Sequence, residues 1–95
     1  MADPMDPQTY DDTEIMDGTL ESVACEHVGK ASVIIWIKDG ATGEVHQMSD
    51  RIETDAVATM GMLQLAREAV IRGRNVRVRY TVDGSNTWFH LLRVY

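Results

Sequence analysis

One cysteine, one phenylalanine, two prolines and no apolar run approaching membrane-spanning length are the first facts of this 95-residue chain. With Cys25 alone there is no intramolecular disulfide, so stability has to come from packing, which suits a reducing cytosol. A transmembrane helix needs about 20 apolar residues, and the longest run of large ones is Val33 to Ile37. Both prolines, Pro4 and Pro7, sit among five carboxylates before Ile15, with neither the basic nor the apolar segment of a signal peptide. The expectation is a soluble, cytoplasmic protein. Also missing are the glycine-rich phosphate loops, a calcium loop and any Cys-x-x-Cys pair.

Positive charge is missing from the first quarter of the chain. Residues 1–26 hold eight acidic side chains and no Lys or Arg, whereas residues 27–95 hold seven acidic and all nine basic ones. The overall charge of −6 is therefore a −8 leader region joined to a +2 body. Residues 1–14 have too little apolar content to offset the entropy of ordering them and are expected to form a flexible acidic leader, with a single domain over 15–95. Five of the cations, Arg67, Arg72, Arg74, Arg77 and Arg79, fall within thirteen positions. Such a run is ordinarily solvated surface; read more sharply, it is an anion-attracting patch.

What is abundant is β-branched residues, densest in Ala31 to Lys38. The pleat puts Val33, Ile35 and Ile37 on one side and Ile34 and Trp36 on the other. If the first three face a core, the second face needs a cover of its own. Before this strand, Leu20 and Val23 are three apart, which breaks alternation and predicts a bulged, strongly bent first strand with both pointing inward. After it, Lys38 to Glu44 has Asp39-Gly40 and Gly43, the chemistry of a hairpin loop of about five residues, followed by a half-exposed strand over Glu44 to Ser49. A helix is predicted from Asp55 to Arg72, with Thr54 or Asp55 as cap, Gly73 as its stop, and Ala58, Met62, Leu65, Ala66, Ala69 and Val70 on the apolar face. Two strands follow. Asn75 to Val82 places Val76, Val78, Tyr80 and Val82 opposite Arg77, Arg79 and Thr81; Trp88 to Tyr95 is apolar on both faces, leaving its inward side open.

The order β-β-β-α-β-β, with the bent Gly18-x-Leu20-x-x-Val23 opening, resembles the OB-fold, a five-stranded Greek-key barrel. The alternative is an open antiparallel sheet with the helix packed on one face. The resemblance spans Asp17 to Tyr95 and implies a binding surface over strands two and three, edged by the loops between strands one and two and between strands four and five (Asp83 to Thr87). On this chain it implies Ile34, Trp36 and Lys38 on strand two, with either Glu44, His46 and Met48 or Val45 and Gln47 on strand three.

Two roles fit such a face. Single-stranded DNA or RNA would stack on Trp36 while Lys38, Arg77 and Arg79 contact phosphates; a protein partner or a second copy would use Ile34, Trp36, His46 and Met48 as an interface, since tryptophan and methionine anchor such surfaces. Against the first stands the ordinary fate of a strand tryptophan, burial in a core or under a helix. Catalysis is not expected: Cys25 and His27 mimic a thiolate and its base, but no third group orients them. Cys25, His27, His46 and His90 lack the close pairing of metal ligands, so no metal or other cofactor is expected.

Overall fold

The computed structural model describes residues 13–28, 30–50 and 56–95, with side chains described over 13–25, 32–50 and 60–95. It has β1 (Glu14–Val28), β2 (Lys30–Asp39), β3 (Val45–Asp50), α1 (Ala56–Arg72), β4 (Asn75–Asp83) and β5 (Asn86–Val94). The strands close into a barrel in the order β1-β2-β3-β5-β4, antiparallel except for the β3–β5 pair. Closure excludes the open sheet: β4 returns to β1, pairing Tyr80 with Glu14 through Asn75 with Thr19. A mainly β barrel with one helix between β3 and β4 is compatible with an OB-like fold.

The bend in β1 makes closure possible. Its first half pairs with β4 and its second with β2, and Gly18 belongs to both ladders, opposite Val76 and Asp39. The strands approach so closely there that a Cβ on Gly18 would lie 1.9 Å from the carbonyl oxygen of Lys38. Two residues on, the ladder slips between Leu20 and Ser22, so that Leu20 opposes Ile37 and Val23 opposes Ile35, both inward. The bulge anticipated from their spacing is present. Gly40 N donates to Asp17 O (2.9 Å), tying the next turn to the same corner.

That turn spans 40–44. Asp39 N donates to Glu44 O and Gly43 N to Asp39 O, both at 2.8 Å, while Asp39 Oδ1 accepts from Ala41 N; Gly43 supplies the required positive φ of 78°. Between β4 and β5 only Gly84 and Ser85 separate the paired Asp83 and Asn86, and Gly84 takes φ 61°. The loop foreseen over Asp83 to Thr87 is thus a two-residue turn.

Val33, Ile35 and Ile37 are fully buried, joined in the core by Met16, Leu20, Met48, Val76, Val78, Phe89 and Leu92. The helix covers one end of the barrel through Ala66 and Ala69, with Met62, Leu63 and Val70 partly buried beside them. Small alanines let its backbone come close. Leu65, expected on this face, is instead exposed, and Leu63 takes its place; Ala58 and the cap at Thr54 or Asp55 lie outside the described side chains. The helix stops as foreseen: Gly73 adopts φ 61°, Arg74 N donates to Ala69 O at 3.0 Å and Gly73 N to Val70 O at 3.3 Å. The expected leader lies outside the described residues except for Thr13 and Glu14, and Glu14 already belongs to β1. No described helix is long and apolar enough to cross a membrane.

Candidate binding face

Along β2 the fully buried Val33, Ile35 and Ile37 alternate with Ile34 and Trp36, which point away from the core and are half-buried, and with the exposed Lys38. The β2–β3 register settles which residues accompany them. Ile34 opposes Ser49, Trp36 opposes Gln47 and Lys38 opposes Val45, so the outward set on β3 is Val45, Gln47 and Ser49. Of the two sets left open by the sequence, the one containing His46 and Met48 therefore turns inward. Met48 opposes Ile35 and is 1% exposed, a core residue that no partner reaches. His46 opposes Ile37 near the turn, its Nε2 3.7 Å from Glu44 Oε2.

The parallel β3–β5 pair adds a residue that sequence reasoning did not place here. Ser49 opposes Trp88, which faces outward across from Thr81. The chain has two tryptophans, and both stand on this one face, on either side of β3. From the strand spacing and rise, their Cα positions are on the order of 10 Å apart. Beside Trp88 lies a hollow of about 240 Å3 lined by Gln47, Ser49, Ser85, Asn86 and Thr87, all neutral hydrogen-bonding groups. The only signal for Trp88 in the sequence was its aromatic type, because the inward side of β5 was unassigned. A register shift between Arg79 and Tyr80 leaves His90 unopposed, and only then do both Phe89 and Leu92 turn inward.

The expected phosphate contacts are not brought to this face. β4 adjoins β1 and β5, not β2 or β3, so Arg77 and Arg79 lie around the barrel from Trp36 and Lys38. Arg77 is engaged there: its Nε and Nη2 donate to the two carboxylate oxygens of Asp17 at 2.6 and 3.1 Å. That hydrogen bond, with the guanidinium charge, outweighs partial burial and holds the Asp17 carboxyl below its usual value. Arg79, expected to be exposed, is 1% exposed between Ile15 and Leu91, its Nη1 donating to Thr13 Oγ1 at 2.7 Å. The strict alternation expected of β4 does not hold past Val78: the register shifts between Arg79 and Tyr80, Arg79 is buried and Val82 is 58% exposed. Ile34, Trp36, Val45, Gln47, Ser49 and Trp88 thus form a strip without charge, with Lys38 at one end.

Cys25 is an exposed free thiol on β1, and the side chain of His27 lies outside the described residues. Among the described residues no three His, Cys, Asp or Glu side chains gather as metal ligands. No protein-family model matches the chain, and no curated protein or solved structure matches it.

Proposed function

We propose that this OB-type barrel is a non-catalytic protein-interaction module that holds an extended peptide segment across the outer face of β2, β3 and the start of β5. The observation that carries the reading is the composition of the strip: both tryptophans, two aliphatics and neutral hydrogen-bonding groups. In a chain that is 25% charged, a charge-free patch anchored by tryptophan matches the centre of a protein interface, where charged residues are depleted and Trp is enriched. Single-stranded nucleic acid, the other role considered, needs aromatic platforms within a positive groove. Here the platforms are present, but Arg77 is neutralised by Asp17 and Arg79 is buried, both on a strand that pairs with neither β2 nor β3.

Size favours a segment over a second globular copy. Between Cα positions the strip measures roughly 10 by 13 Å, a few hundred Å2 once side chains are included, against about 800 Å2 per partner in a standard stable interface. An extended segment fits that footprint, with one apolar side chain on each tryptophan and its amides toward Gln47, Ser49 and Asn86.

Because both tryptophans lie on the face, their emission reports its occupancy directly. Peptides selected from a display library against the wild-type protein should shift that emission to the blue on titration. Trp36→Ala should weaken the selected peptide about 30-fold, the effect of losing an interface hot spot. A saturable shift with short oligo(dT) or oligo(U) at physiological salt, with no peptide recovered, would instead assign the face to nucleic acid.

A further inference from the structure

The arginine run singled out in the sequence has separate fates in the fold. Arg72 pairs with Glu68 one helical turn back, Arg77 with Asp17, and Arg79 is buried against Thr13. Arg67 makes no ion pair among the described residues, and it lines a groove of about 460 Å3 between α1 and the second half of β1. Val23 and Ala24 form one wall; Leu63, Val70 and Ile71 form the other. Ile71 is 72% exposed, the most exposed large apolar side chain described. The volume lies in the range of small-molecule sites, roughly 300–1,000 Å3. Leu63 to Ile71 spans about 12 Å of helix, and Ser22 to Cys25 about 10 Å of strand.

We infer that this groove is a second binding site, for a small amphipathic carboxylate of medium chain length. The aliphatic walls take the hydrocarbon, and Arg67 takes the headgroup. Burial of a methylene against such a wall contributes favourably in proportion to the area removed from water, and a guanidinium pairs with a carboxylate through two parallel hydrogen bonds. An uncharged amphiphile would use the walls alone; a small hydrophilic anion would use Arg67 alone and compete with water. The groove lies on the β1–α1 side of the barrel, distinct from the strip centred on β3, so the site does not depend on the peptide reading.

The free thiol supplies a local readout, since Cys25 lines the same groove. Anilinonaphthalene sulfonate, an aromatic amphipathic anion that brightens in apolar sites, should bind the native protein saturably at neutral pH, and decanoate should displace it. Decanoate should also slow alkylation of Cys25 by iodoacetamide. Arg67→Gln, a surface change, should weaken decanoate about tenfold with an unchanged circular dichroism spectrum, while Trp36→Ala should leave it unaltered. Displacement by decanol as effective as by decanoate, or full decanoate affinity in Arg67→Gln, would overturn the assignment of the headgroup. Undiminished alkylation of Cys25 at saturating decanoate would overturn the site.

Discussion

At Gly18 the space left for a side chain is already taken by backbone. The 1.9 Å from a would-be Cβ to the Lys38 carbonyl oxygen, with Gly40 N at 3.3 Å, leaves no flexible atom to yield, so Gly18→Ala has to part β1 from β2 at the corner where β1 changes partners. Overpacking of this kind costs about 3 kcal/mol, and thermal unfolding followed by circular dichroism should show a midpoint roughly 10–20 °C lower. One residue earlier, Asp17 sets a pH dependence. Its carboxyl is held below the usual aspartate range chiefly by the hydrogen bond from Arg77. A depressed folded-state value contributes stability that is present above the unfolded value and lost as pH falls through the folded one. The stability difference between wild type and Asp17→Asn should therefore be steady at neutral pH and close below about pH 4. With the two side chains 59% and 37% exposed, solvent screening keeps that difference below about 1 kcal/mol. Urea titrations of both proteins across the acid range measure it.

The helix offers a pair of glycines with opposite expectations. Gly61 lies inside α1 with open space where a Cβ would stand, so Gly61→Ala should stabilise by about 0.5–1 kcal/mol through the unfolded chain. Gly73 holds φ 61° to close the last turn, and Gly73→Ala should destabilise by about 1 kcal/mol. Equilibrium urea unfolding separates the two signs. Gly73 was readable in advance because a helix stop is local: an apolar stripe ends and glycine follows. The β1 bulge was readable for the same reason, since Leu20 and Val23 cannot both turn inward on an unbroken pleat. The choice of Leu63 over Leu65 was not, because both flank the Ala66 stripe and only the barrel's position selects one. Likewise β5 is apolar on both sides, so its register shift at His90, and with it the placement of Trp88 on the binding face, is set by β4 rather than by any pattern within β5.

At the level of the whole barrel, closure sorts the charges, and no reading of single strands anticipates that. The nucleic-acid reading of the sequence needs Lys38, Arg77 and Arg79 to serve one ligand stacked on Trp36. The strand order β1-β2-β3-β5-β4 carries β4 to the other side, where Asp17 on β1 meets Arg77. The acidic side chain that neutralises the arginine thus comes from the acidic, cation-free end of the chain, 60 residues away. What remains on the strip formed by Ile34, Trp36, Val45, Gln47, Ser49 and Trp88 is apolar, aromatic or neutral, and this fixes how binding there should respond to salt. A ligand held through several phosphates loses about 10³–10⁵ in affinity between 50 and 200 mM salt, because each neutralised phosphate releases counterions. Among the described residues of the strip, a peptide held on Trp36 and Trp88 meets only Lys38 as a charge to screen. Its affinity, read from tryptophan emission, should change less than about threefold over the same range. Arg77→Gln should leave it unchanged, since that guanidinium lies around the barrel from the face. A steep salt slope, or a loss of affinity in Arg77→Gln, would show that the distant cations take part after all and that the uncharged strip is not where recognition is decided.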